Sequence, residues 1–123
     1  MKRLLTLLFV AISAATFAQA PQGINYQAVI RNNSGAILPN QTVGMKISII
    51  QTSPIGTVVY EELFTSTTSQ FGLVNIVIGD GNPVLGNFAT IDWSAGPYFV
   101  EVAADETGGT NYAVLGNQQL MSV

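Results

Sequence analysis

The chain has 123 residues, 48% of them hydrophobic, and four Lys and Arg against seven Asp and Glu give a formal charge of −3. So few cations cannot form the basic track that nucleic acid binding draws on, and no cysteine is present to form a disulfide. Histidine is absent as well, which removes the Ser-His-Asp/Glu and Cys-His nucleophile pairings and nearly every zinc site.

Lys2 and Arg3 supply a charged start, Leu4 to Ile12 an apolar run too short to span a bilayer, and small residues follow as far as Ala18-Gln19-Ala20. This is the pattern of a cleavable secretory signal over residues 1–20, cut after Ala18 or after Ala20. Residues 21–123 are then expected to be exported to the periplasm, the cell surface or the medium, with no transmembrane anchor once the leader is removed. Lys2 and Arg3 leave with it, so Arg31 and Lys46 stand against seven carboxylates, a net charge of −5. A polybasic membrane anchor fails on the same count. Residues 21–123 are the size of a single domain, long enough to fold by packing and backbone pairing alone.

Past the leader the pattern has period two, with no apolar stretch at helical spacing. Ile24, Tyr26, Ala28 and Ile30 share one side of a first strand, which Asn32-Asn33-Ser34-Gly35 ends in a turn. After a break at Pro39-Asn40, Val43, Met45, Ile47 and Ile49 alternate with Gly44, Lys46 and Ser48, so a half-buried strand is expected with Lys46 in solvent. Ser53-Pro54-Ile55-Gly56 punctuates before a long strand from Thr57 to about Thr68. Ser69-Gln70-Phe71-Gly72 reads as the hairpin connection to its partner, Leu73 to Ile78, apolar enough to lie centrally in a sheet. A loop over Gly79-Asp80-Gly81-Asn82-Pro83 follows, and Phe88 to Trp93 fits either a short strand or a helical turn. Tyr98 to Ala104 and Tyr112 to Val123 complete six or seven strands around Thr107-Gly108-Gly109-Thr110. Short strands with turn signals roughly every ten residues define an all-β, antiparallel, two-sheet β-sandwich.

Gly23-Ile24-Asn25-Tyr26-Gln27-Ala28-Val29-Ile30-Arg31 resembles the opening of a module found near the N-terminus of secreted surface proteins of Bacteroidota. Similar modules carry equivalents of Asn40-Gln41-Thr42-Val43, Val59-Tyr60-Glu61-Glu62, Gln70-Phe71-Gly72-Leu73, Ile78-Gly79-Asp80-Gly81, Gly86-Asn87-Phe88, Ile91-Asp92-Trp93 and Gly108-Gly109-Thr110-Asn111-Tyr112. These are turn and core residues, so the resemblance implies a scaffold and carries over no catalytic position. It implies a sandwich at the cell surface, often placed ahead of tail-fibre-like, collagen-like or C-terminal sorting regions. Such modules run on past the equivalent of Gln119-Leu120-Met121-Ser122-Val123, which implies a fragment truncated at its C-terminal end, with an exposed last strand and self-association. In fold the chain is also similar to transthyretin-like and carboxypeptidase regulatory domains, and more broadly to Ig-like sandwiches.

The candidate sites are few. Glu61 and Glu62 are adjacent, so on a strand they point to opposite faces and are expected as solvated carboxylates. Glu101 and Asp105 share a face but stand about 13 Å apart, beyond the ~5–9.5 Å of a glycosidase pair. Asp80 and Asn82 begin a calcium-loop pattern that Pro83 to Gly86 does not finish, and recruiting Asp105-Glu106 would need the two loops to meet. Lys46, expected on the outer face, is poorly placed for a core isopeptide bond. Asn32-Asn33-Ser34 and Asn40-Gln41-Thr42 fit a glycosylation pattern but read as turns.

Trp93, Tyr98 and Phe99, with Tyr112 nearby, are the candidates for stacking against a sugar ring, since Tyr98 and Phe99 are strand neighbours and one must face outward. No cofactor is called for. The expected function is a non-enzymatic structural or adhesion module of a secreted or cell-surface bacterial protein. Its expected partner is a downstream segment of the parent protein, or a cell-surface or glycan partner. The alternatives are a small carbohydrate-binding module or an accessory domain of a secreted hydrolase.

Overall fold

Residues 23–120 are described by a computed structural model, so the leader expected over residues 1–20 and the last three residues lie outside the described residues. Alternating side chains resolve into seven strands: β1 (Ile24–Val29), β2 (Thr42–Gln51), β3 (Thr57–Thr67), β4 (Leu73–Ile78), β5 (Asn82–Leu85), β6 (Tyr98–Asp105) and β7 (Ala113–Leu120). They form two antiparallel sheets, a small one of β1 and β4 and a large one in the order β5-β3-β2-β6-β7. The expected two-sheet β-sandwich is the fold.

Its interior is built as the period-two pattern requires. On the small sheet Ile24 lies opposite Ile78, Tyr26 opposite Ile76 and Ala28 opposite Val74. These residues pack on Val43, Met45, Ile47, Ile49, Tyr60, Val100 and Val102 of the large sheet, all almost fully buried. Buried Thr68 closes one end, its hydroxyl donating to Leu38 O and accepting from Gln41 N.

Five expectations are corrected. The Ser69–Gly72 turn does not close a β3–β4 hairpin, because both edges of β3 are taken by β2 and β5, and β4 crosses to pair with β1. There it is not central: Val74, Ile76 and Ile78 point inward, whereas Asn75 and Val77 are exposed. The supposed loop residues Asn82 and Pro83 begin β5, a four-residue edge strand where a proline's missing N–H costs nothing. Finally, β2 is covered on both faces, not half-buried, since Gly44, Ser48 and Ile50 are buried together with the core-facing set. Lys46 is accordingly not in open solvent. Its side chain is 33% exposed, its Nζ lies 3.5 Å from Glu61 Oε1, and it sits 5.5 Å from the centroid of the Tyr112 ring.

The segment from Phe88 to Trp93, readable either way in the sequence, adopts helical turns. Two 3-10 turns, Phe88–Thr90 and Trp93–Ala95, are capped by Asn87 accepting from Ala89 N and Asp92 accepting from Ser94 N.

Candidate ligand-binding surface

The three aromatic candidates do not share a surface. Tyr98 points into the core and is 5% exposed, its hydroxyl donating to Asp92 O at 2.5 Å. Burial first, then the nearby Asp92 carboxylate, raises the Tyr98 pKa above the usual phenol value. Phe99, its neighbour on β6, lies on the opposite face between Ile50 and Gln119. Trp93 is held edge-on by two rings, 5.6 Å from Phe88 and 5.2 Å from Tyr98, and Phe88 in turn meets Tyr60 at 5.5 Å. Tyr60, Phe88, Trp93 and Tyr98 thus form a row of edge-to-face contacts, as ring quadrupoles favour, with Trp93 at the rim between two buried rings.

At that rim a groove of about 300 Å³ is lined by Gln51, Asn87, Asp92 and Tyr98, among others. Trp93 stands beside it, 36% exposed. Most of its polar groups already have partners. Gln51 Nε2 donates to Ala95 O, Asn87 Oδ1 accepts from Ala89 N, and Asp92 Oδ1 accepts from both Ser94 N and Ser94 Oγ.

Of the carboxylates, Glu61 and Glu62 do point to opposite faces, but only Glu61 is near solvent. Glu62 is fully buried beside Ile47, which corrects the expectation that both are solvated. It accepts from Tyr60 Oη at 2.5 Å, from Gly79 N at 2.9 Å and from Gly81 N at 3.1 Å, so the loop after β4 wraps a carboxylate carried by β3. Burial, followed by the contact with Glu62, pushes the Tyr60 phenol well up. This pair was missed in the sequence. The signal available was the two-residue spacing of Tyr60 and Glu62, which puts both on the inner side of one strand.

Asp105 is buried too and organises the turn after β6, accepting from Thr107 N, Thr107 Oγ1 and Asn111 N. These bonds, the Thr107 side chain foremost, hold its carboxyl below the usual carboxylate range. The Asp80–Asn82 loop and the Asp105–Glu106 turn belong to strands separated by β3 and β2. Among the described residues no three Asp or Glu side chains gather where a metal ion would sit. No buried side-chain nitrogen or oxygen among them lacks a hydrogen-bond partner. The two glycosylation patterns are turns: Asn32 Oδ1 accepts from Ser34 N and Ala36 N, and Asn40 takes a left-handed φ of 51°.

The molecule is therefore a small antiparallel β-sandwich whose buried carboxylates bind its own backbone. Residues 25–118 match the family described as a domain of unknown function, DUF8740, and the chain belongs to that family. No curated protein and no solved structure matches it.

Proposed function

We propose that this domain is a non-enzymatic structural or adhesion module of a secreted bacterial surface protein. The observation that carries this reading is the use made of the buried acids: Glu62 and Asp105 are saturated by N–H and O–H donors of the fold itself. A general acid or base needs a proton-transfer path to a substrate, and these carboxyl oxygens face loops and a neighbouring phenol. Export is supported by the charged start, the apolar run and the Ala18-Gln19-Ala20 sequence. Its partner would be a further segment of the parent protein or a component of the cell surface.

Expression with residues 1–20 in place tests this. The expected product is exported and begins at Gln19 or Pro21 by mass spectrometry. Retention in the cytoplasm with Met1 to Ala20 attached would remove the surface assignment.

Glycan binding is the second reading, favoured by Trp93 standing partly open beside a groove with amide and carboxylate groups on its wall. Binding on a glycan array that disappears in Trp93→Ala would establish it, and silence across a broad array would discard it.

A further inference from the structure

The two layers of the sandwich end at different places, because the small sheet has two strands and the large sheet five. Glu62 on β3 holds the amides that directly follow β4, which sets β4 on the β3 side. Val29 and Arg31, at the end of β1, line a groove of about 580 Å³ together with Ala113, Val114 and Leu115 at the start of β7, which sets β1 on the β7 side. The end of one strand meets the start of the other, so β1 and β7 run antiparallel. Beyond β1, the large sheet continues without a covering strand among the described residues.

Three openings coincide at this step. First, Ala113, Gly116, Gln118 and Leu120 stand beside Ala104, Val102, Val100 and Tyr98, which face the core, yet β7 is exposed from Ala113 to Gln119. Second, the outer edge of β1 is open. Ile30 N donates to Gly72 O, and antiparallel bonding recurs at every second residue, so Ile24, Tyr26 and Ala28 bond to β4. Asn25, Gln27 and Val29 then turn their backbone groups outward, where they meet no backbone partner among the described residues. Third, the outer edge of β7 has no neighbouring strand among the described residues. The other edges are better closed: Val77 O accepts from Asp80 N and Leu73 O from Ser69 N beside β4, and β5 is short and carries Pro83.

We propose that these openings close together in a two-fold dimer of this chain, in which β7 of each copy lies beside β1 of the other. A two-fold axis running along the strands, between the layers, sets the small sheet of one copy next to the large sheet of its partner. Each layer then has the continuous order β4-β1-β7-β6-β2-β3-β5, with the junction between copies at β1 and β7. The two β7 strands cover each other's inner faces. The contact is isologous and closes on itself.

Charge favours a second copy in this place. The chain is net negative, but β1 and β7 contain no Asp, Glu, Lys or Arg, so the seam itself carries no repulsion. Arg31 and Glu106 line the same end of the groove, and the rotation brings Arg31 of each copy toward Glu106 of the other. A lone extended peptide would satisfy β1 and cover β7, but it would leave the edge of β7 open. A second copy satisfies all three.

Sedimentation velocity on the purified chain, from about one to about a hundred micromolar, tests the proposal, with a dimer as the expected result. Gln27→Pro removes one outward-facing N–H without touching the bonds to β4, and Leu115→Glu places a carboxylate on the seam. Each is expected to weaken the dimer roughly tenfold or more with an unchanged far-UV circular dichroism spectrum. Val84→Glu, on the exposed opposite edge strand, leaves the dimer intact. Should either seam variant fail to fold, hydrogen exchange on the unaltered chain decides, since protection of Asn25, Gln27 and Val29 amides must rise with concentration. A monomer throughout the range, or a dimer abolished by Val84→Glu and indifferent to both seam variants, would overturn the proposal.

Discussion

Glu62 shows how much one buried carboxylate can organise. Its oxygens receive Tyr60 Oη, Gly79 N and Gly81 N, so it ties β3 to the crossing between β4 and β5. Glu62→Ala strips all three donors at once. With each unsatisfied buried donor costing about 1–3 kcal/mol, a loss of roughly 3 kcal/mol or more is expected in urea titration. Asp105 gives a different signature. Its folded pKa lies below the ordinary aspartate value, because the Thr107 hydroxyl and amide and the Asn111 amide bind the ionised form. The stability it adds is complete above the unfolded carboxylate pKa and is lost as pH falls through the lower folded value. Asp105→Asn is therefore expected to be destabilised at pH 7, with the gap from the unaltered protein closing below about pH 4 in paired denaturation curves. Neither role was legible in the sequence, because a strand carboxylate announces its face but not the loop that will wrap it.

At the scale of elements, the sequence located strands better than it located their partners. Alternation placed the starts of β1, β3, β4 and β6 correctly, since their inward positions are mostly apolar, Glu62 on β3 excepted, and turn residues such as Gly and Pro bound them. It could not show that the Ser69–Gly72 turn switches sheets, because a tight turn has the same composition whether it folds a hairpin or leads from one layer to the other. Gly72 adopts a φ of 77°, and its carbonyl accepts from Ile30 N, a long-range contact that no local pattern encodes. Coverage of β2 was hidden for a similar reason. The connection between β6 and β7 folds over its outer face, and a Cβ at Gly44 would lie 2.3 Å from Gly109 O. Gly44→Ala must displace that connection, so a loss of about 1–3 kcal/mol is expected, read as a lowered urea midpoint with an unchanged slope.

For the whole molecule, composition and period two were enough to define an antiparallel sandwich, because a chain without cysteine or a helical face has few other ways to build an interior. The division into two and five strands was not legible, since it depends on which layer each crossing reaches. The aromatic candidates show the same limit. Their types were read correctly, but only the fold separates Phe99 from Trp93 and Tyr98 and turns Trp93 edge-on to two other rings.

The antiparallel course of β1 and β7 has a mechanical consequence. With the end of β1 beside the start of β7, Ile24 and Leu120 emerge at the same pole of the sandwich. Tension applied through both termini therefore peels β1 from β4 and β7 from β6 one rung at a time, instead of shearing whole ladders at once. Optical-tweezer stretching between handles at Gly23 and Leu120 is expected to give low rupture forces, well below those from handles at Gly23 and Leu73, which sit at opposite ends of the β1–β4 ladder and load it in shear.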